Sequence, residues 1–247
     1  MREVFFAGSL PRTDHEADSC EDRHAVRRTP SGLLRAAIAD GASSTLFSGL
    51  WAELLTATFI EDEASEPTLP DLTGIRRTWY DTVTRQPLPW HLQAKLGQGA
   101  AAAFLGLTVT DRGRWSALSV GDCGLFHLRE DRCITAFPEE DPDNMPALPS
   151  LLRTHAGESD YLHTIARTQT GDVIAGDRFL LMTDALAAWF LREWRREHAP
   201  WKWLEDIRHP SVFRHRITQL RRMGRLVEDD ITLIHLRIPP TPTEAAP

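Results

Sequence analysis

Apolar positions along this chain follow two rhythms, one helical and one strand-like. Residues 33–39 (Leu-Leu-Arg-Ala-Ala-Ile-Ala) form a short apolar run stopped by Asp40-Gly41, which predicts a buried strand closed by a turn. A Ser-Ser-Thr segment follows and is placed to cap a helix over about 45–61. In that helix Leu46, Leu50, Leu54 and Phe59, with Trp51 and Leu55 beside them, make one apolar face. The Glu/Pro/Thr-rich stretch 61–71 reads as a loop, and a second amphipathic helix covers 71–84.

Beyond residue 100 the rhythm changes. Ala101 to Thr110 is continuously apolar, Asp111-Arg112-Gly113 is a turn, and Trp115 to Val120 is apolar again. Gly121-Asp122, the alternating Leu125 to Leu128, a Glu130-Asp131 turn and Cys133 to Phe137 follow. Short strands punctuated by turns are the mark of an antiparallel meander. Residues 138–160, rich in Pro, Asp and Glu, read as an irregular excursion. Order returns at Val173, with a Gly176-Asp177 turn and a strand from Arg178 to Met182. Thr183-Asp184 opens a helix to about 197, a further helical region reaches Met223, and Ile231 to Ile238 is a closing strand. The pattern predicts one domain over 1–238 with a disordered tail over 239–247, and an α+β class built on antiparallel sheet rather than a βαβ succession.

Composition narrows the function classes. The chain has 247 residues, 42% hydrophobic and 26% charged, the balance of a globular protein with a sizeable core. A formal net charge of −7 argues against nucleic acid as a partner. The Trp- and Arg-rich stretch 189–203 is interleaved with Glu193 and Glu197, so helix packing explains it better than base stacking. No apolar run reaches the length of a membrane span and Met1 to Phe6 lacks a signal-peptide pattern, so no membrane partner is expected. Cys20, Cys123 and Cys133 form no Cys-x-x-Cys pair and are odd in number; the expected compartment is a reducing cytoplasm.

The chemistry lies in acidic islands at the ends of apolar runs: Glu21-Asp22, Asp40-Gly41, Asp122, Asp184 and Asp229-Asp230. Carboxylates at strand ends are expensive to desolvate unless a cation neutralises them, and oxygen-only ligands suit hard ions such as Mg²⁺ or Mn²⁺. Singly, Asp40-Gly41 is a turn signal and Asp184 a helix cap; Gly121-Asp122 fits a hairpin turn, and Glu21-Asp22 fits a solvated charged loop. Their joint occurrence favours one shared site.

Read in order, Glu21-Asp22-Arg23, Ala39-Asp40-Gly41, Val120-Gly121-Asp122-Cys123, Met182-Thr183-Asp184-Ala185 and Asp229-Asp230-Ile231-Thr232 resemble the motif series of the metal-dependent type 2C Ser/Thr protein phosphatases, the PPM family. The resemblance runs from about residue 5 to 238, and Gly176 to Asp184 is its closest local stretch. It implies a four-layer αββα sandwich of two antiparallel sheets flanked by helix pairs, with two Mg²⁺ or Mn²⁺ ions at the sheet edge and a weaker third. By the same resemblance Asp40 would bridge both ions, Asp184 and Asp229 would serve one, and Glu21 with the Gly41 carbonyl the other. Asp22 would hold a metal-bound water, and Asp122 with Asp184 the third ion. The implied reaction is in-line attack on phosphoserine or phosphothreonine by a hydroxide bridging two ions about 4 Å apart. The implied partners are a phosphoprotein substrate and a Ser/Thr kinase.

Departures from the family pattern are equally specific. Ala17 and Asp18 stand where a phosphate-gripping Arg is usual, leaving Arg12 or Arg23 as substitutes. Ala42 stands where some members carry a His, leaving His15, His24 or solvent as the proton source. Ala185 replaces a Gly, Ala188 a third-metal carboxylate, and Asp230 an Asn. The competing class is a pseudophosphatase that binds phosphoproteins or a kinase without turnover; a hydrolase of small phosphoesters is a third.

Overall fold

The computed structural model describes residues 4–13, 19–85, 87–145, 148–155 and 162–239. In chain order the first half comprises β1 (Val4–Leu10), β2 (Arg23–Arg28), β3 (Leu34–Gly41), α1 (Ser48–Glu61), α2 (Leu72–Val83), α3 (Trp90–Leu96), β4 (Ala101–Val109), β5 (Arg114–Val120), β6 (Gly124–Arg129) and β7 (Arg132–Phe137). The second half comprises β8 (Leu152–Arg153), α4 (Leu162–Ile165), β9 (Arg167–Asp172), β10 (Arg178–Met182), α5 (Asp184–Arg195), α6 (Pro200–Leu204), α7 (Pro210–Arg222) and β11 (Ile231–Arg237).

The strands form two antiparallel sheets. One runs β1-β11-β10-β6-β7 and the other β2-β3-β4-β5-β9, with β8 added beside β4. Alternation along each central strand explains the layering, because successive side chains leave opposite faces. In β3 and β4, Ile38, Leu105 and Leu107 meet Phe179, Leu181 and Ile234 of the other sheet. Ala37, Ala39 and Phe104 turn outward to Trp51, Leu55, Phe59 and Trp79 of α1 and α2. On the opposite flank Leu180, Met182 and Leu233 meet Leu186, Phe190, Phe213 and Ile217 of α5 and α7. The chain is thus an α+β sandwich of two antiparallel sheets between helix layers. Trp189 and Trp201 are buried in that last cluster, as helix packing requires.

Two expectations need correction. Helix α1 starts at Ser48, its N-cap is Phe47 in the left-handed region, and no side chain caps it. Thr45 instead turns its hydroxyl back onto the Ala42 carbonyl (2.8 Å), so the Ser-Ser-Thr segment belongs to the loop that carries Asp40-Gly41 into the helix. The described residues of the 138–160 excursion include a 3₁₀ turn over Pro142–Asn144 and then β8, which its composition does not announce. The expected tail beyond residue 239 lies outside the described residues. No helix among the described residues is long and apolar enough to cross a membrane.

One buried polar cluster braces the end of the sandwich where β10 begins. Asp177, 1% exposed, accepts from Arg129 Nε (3.0 Å), from the Ile174 amide (3.0 Å) and from His127 Nε2 (2.9 Å). Burial pushes the carboxyl upward in pKa, but these hydrogen bonds outweigh it and hold Asp177 below the ordinary range. Removing one member of a buried charged network leaves the others unpaired, at about 3–5 kcal/mol. Asp177→Ala is therefore expected to lower the unfolding free energy by about that amount in a urea titration; a loss under about 1 kcal/mol would show that the cluster is not the brace argued here.

Candidate active site

Asp40 ends β3, Asp122 follows β5, Asp184 opens α5 straight after β10, and Asp229 directly precedes the Asp230 that leads into β11. Antiparallel pairing brings these strand ends together. Asp40, Gly41, Asp122, Asp184 and Asp229 line one cavity of about 410 Å³, together with Pro149 and Leu151 of the segment before β8. Only small groups fit at two of its corners. A Cβ on Gly41 would lie 2.8 Å from the Glu21 carbonyl oxygen, and one on Gly121 (φ +103°) would lie 2.5 Å from the Ala103 Cβ. Asp-Gly and Gly-Asp are therefore steric requirements here as well as turn signals.

Glu21 and Asp22 stand beside this cavity. The Glu21 carboxylate accepts from the Ser48 hydroxyl at the start of α1. Asp22, 2% exposed, has Oδ2 held by the Thr183 hydroxyl (3.0 Å) and the Thr232 hydroxyl (2.8 Å). Its Oδ1 is buried with no hydrogen-bond partner among the described residues. Since the Thr232 proton goes to Asp22, the Ser9 hydroxyl donates to Thr232 (2.7 Å) and accepts from His24 Nδ1 (3.0 Å). His24 is thus tied into the sandwich interior behind Asp22, and burial lowers its pKa. His15 lies outside the described residues, and among them no histidine lines the cavity.

The carboxylates raise one another. Burial first, then Asp22, Asp184, Asp122 and Asp229, push Asp40 well above its ordinary value. Burial, then Asp230 and Asp184, push Asp22 up to about 8 against the pull of the two threonines. Burial and Asp184 push Asp122 to about 6. Asp184 rises by burial and by Asp229, opposed by the Ala185 amide and a hydrogen bond with Asp40. Carboxyl groups that must share protons in this way are short of positive charge.

Among the described residues one cation reaches the cavity. Arg12, two residues beyond β1, places its guanidinium 3.4 Å from Asp229 Oδ1 and donates to the Ser43 hydroxyl (2.8 Å). Arg23 does not reach it: its guanidinium bonds the carbonyls of Cys20 (2.6 Å) and Asp22 (2.8 Å) and lies 3.9 Å from Glu53 of α1. Asp230 holds Arg12 in place. Its Oδ1 accepts from the Arg12 amide (3.0 Å) and its Oδ2 from the Glu21 amide (2.7 Å), so both oxygens are used and an Asn could satisfy only one of the two donors. Arg221 of α7 completes the brace by donating to the carbonyls of Pro11 (3.1 Å) and Asp229.

Residues 12–226 match the family model described as protein phosphatase 2C. The chain belongs to that family. Solved phosphatase 2C folds superpose over nearly its whole length. They include the Mycobacterium tuberculosis serine/threonine phosphatase PstP/Ppp (17% identity, 95% of this chain and 97% of that one, TM-score 0.61) and the Staphylococcus aureus serine/threonine phosphatase Stp1 (12% identity, 94% of each chain, TM-score 0.61). The photosystem II phosphatase PBCP is a third (15% identity, 94% of this chain and 97% of that one, TM-score 0.58). No curated protein sequence matches the chain.

The donor set of this phosphatase 2C family member suits a hard divalent cation. Carboxylates and a backbone carbonyl converge on one cleft, one buried carboxylate oxygen lacks a partner, and Arg12 alone cannot offset the charge. Among the described residues no three His, Cys, Asp or Glu side chains are drawn together at ligating distance. Sequence reading passed over Thr183, Thr232, Ser9 and Ser48. The signal for the threonines lay inside the motifs themselves, as the residue before Asp184 and the third residue after Asp229.

A stability measurement tests the electrostatics without any turnover. Asp22, ordinarily near 3.8, sits at about 8 when folded, so the folded state holds a proton that the unfolded chain has lost. That stabilisation is complete below the unfolded value and disappears as pH rises through the folded one. His24, His127 and His235 have lowered values, so their opposing effect is confined below about pH 7. In chelator, the melting temperature should therefore fall between about pH 7 and 8.5, and Asp22→Asn should flatten the fall. Saturating Mn²⁺ should raise the melting temperature most at the upper end. A melting curve that rises across this interval in chelator would contradict the charge assignment.

Proposed function

We propose that this phosphatase 2C family member hydrolyses phosphoserine and phosphothreonine in proteins with the help of Mg²⁺ or Mn²⁺. The single observation that carries this reading is the gathering of Asp40, Asp122, Asp184 and Asp229 from separate strand ends into one cleft with Arg12 at its edge. Asp40, Asp184 and Asp229 would hold the cations together with Glu21 and the Gly41 carbonyl, and Asp122 is the candidate for a weaker third ion. Bound there, such ions supply a water of lowered pKa and offset phosphoryl charge.

The chain's own groups carry the remaining roles. Thr183 and Thr232 hold Asp22 Oδ2 and leave Oδ1 to orient the water. Arg12 is poised to grip phosphoryl oxygens, a strong use of a guanidinium because its fork matches two acceptors at once. Ala42 offers no proton, so the leaving alcohol takes its proton from solvent in the open cleft. A cytoplasmic setting, with a Ser/Thr kinase supplying the phosphoprotein, completes the proposal; three free cysteines agree with a reducing compartment. Binding without turnover is the second reading, favoured by the lack of a histidine in the cleft among the described residues.

Phosphate release from a phosphothreonine peptide, with and without Mn²⁺, decides between them. Release is expected with Mn²⁺ only, and Asp40→Asn and Asp184→Asn are each expected to abolish it in folded protein. Retention of wild-type turnover by either variant at saturating Mn²⁺ would sink the site assignment. Absence of release from folded wild-type protein would favour the binding reading, and a preference for a free phosphometabolite would favour the small-ester hydrolase. Arg12→Ala should lower kcat/KM about 10- to 150-fold, the worth of a charge-assisted hydrogen bond of about 1.5–3 kcal/mol. Arg23→Ala, which removes a support of the Cys20 and Asp22 carbonyls and no group in the cleft, should lower kcat/KM less than Arg12→Ala.

A further inference from the structure

A second cavity, about 380 Å³, opens at the other end of β10 and β11, where Arg178 begins one strand and Arg237 ends the other. Asp184 follows the opposite end of β10 and Asp229 lies just ahead of β11, so this cavity and the carboxylate cleft sit at opposite ends of the same two strands. Its volume falls within the range of about 300–1,000 Å³ usual for small-molecule sites.

Three features of the cavity need a common explanation. Arg178 and Arg237 are paired directly across the ladder; Asp131 and Glu205 lie beside Arg178, whereas Arg237 has no ion-pair partner among the described residues. Arg208, from the connection between α6 and α7, brings a third guanidinium, stacked 4.7 Å over the Phe5 ring. His235, 2% exposed and part of the lining, has both ring nitrogens without a hydrogen-bond partner among the described residues. Burial first, then Arg178, Arg237 and Arg208, lower its pKa to about 3, so the imidazole is neutral and keeps one N–H to donate.

The lining also carries four carboxylates, Glu130, Asp131, Glu205 and Asp206, and two of them lie on Arg178: Asp131 at 3.6 Å and Glu205 at 3.7 Å. Asp131 further accepts from Trp201 Nε1 (2.8 Å) and pairs with Lys202 (2.9 Å), and Asp206 pairs with Arg216 (3.9 Å) outside the cavity. Arg208 and Arg237 make no ion pair among the described residues, which leaves two guanidinium forks and a buried imidazole facing one space.

We infer that this cavity binds a phosphate group, either as the free ion or as the monoester of a small metabolite, through Arg208, Arg237 and the N–H of His235. Guanidinium forks match tetrahedral oxyanions bidentately, and an oxyanion beside Arg208 and Arg237 supplies the counter-charge that Asp131 and Glu205 already give Arg178.

The test uses metal-free protein in chelator, where the carboxylate cleft repels anions, so its outcome is independent of the proposed hydrolysis. Inorganic phosphate and free O-phosphoserine are titrated separately while the His235 ring resonances are followed. Saturable shifts are expected, with affinity at least about tenfold weaker in Arg208→Glu/Arg237→Glu, whose exposed positions leave folding intact, and unchanged in Asp40→Asn. Tighter binding of O-phosphoserine would name a small monoester as the natural ligand; equal or weaker binding would name the free ion. Linear, unsaturable shifts, equal affinity in the double variant, or loss of binding in Asp40→Asn would each overturn the assignment.

Discussion

Carboxylates crowded in a half-buried cleft repel one another, and most of the candidate active site can be understood as an arrangement that tolerates this. The cost is visible in Asp22, Asp40, Asp122 and Asp184, whose affinities for protons all rise through burial and mutual repulsion. A fold can keep such groups together only if something rigid holds their backbones. Here that frame is the pair of sheets, because Asp40, Asp122 and Asp184 each sit at or just beyond a strand end whose neighbours are buried between the sheets or under a helix layer. The apolar sandwich supplies the stability, and the strand ends carry the unfavourable charge.

The segment after β1 shows how a departure from the family pattern is absorbed. With no arginine just ahead of the acidic pair, the cation at the cleft comes from Arg12. Its backbone amide is fixed by Asp230 and its flanking carbonyl by Arg221. Asp230 can do this because it is a carboxylate. One oxygen binds the Arg12 amide and the other the Glu21 amide, which ties the two loops that flank the cleft to the start of β11. The extra negative charge at that position is therefore matched by two backbone donors and a nearby guanidinium, and is only 5% exposed.

Much of this was legible in the sequence, and the exceptions share a cause. β3 to β7, β10 and β11 were readable because their apolar residues lie in unbroken or alternating runs between turn residues. β2 (Arg-His-Ala-Val-Arg-Arg) and β9 (Arg-Thr-Gln-Thr-Gly-Asp) are edge strands whose side chains are mostly polar and partly solvated, so no apolar rhythm marks them. α1 was placed too early because Ser43, Ser44 and Thr45 have capping chemistry, but the loop needs them to pass from Gly41 to the helix. The acidic site residues announced themselves by position at strand ends. Arg12 stood in the sequence only as an alternative to Arg23, and the hydroxyls around Asp22 went unread, since the partners that place them lie up to 218 residues away in the chain and only the closed sandwich brings them together.

The two ends of β10 and β11 pose opposite electrostatic problems with the same backbone. At one end carboxylates stand with Arg12 alone beside them among the described residues; at the other, Arg178 and Arg237 stand opposite each other across the ladder, Arg178 beside Asp131 and Glu205 and Arg237 without an ion-pair partner among the described residues. A sheet cannot relieve either imbalance by moving a strand, because a shift of one residue would turn Phe179 and Leu181 out of the inter-sheet core and Leu180 and Met182 into it. Register is thus fixed by packing, and relief must come from what approaches each end. The carboxylate end would suit hard cations and the unpaired guanidinium groups at the other end would suit an oxyanion, for the same reason: each set of charges is held by backbone that packing keeps in place.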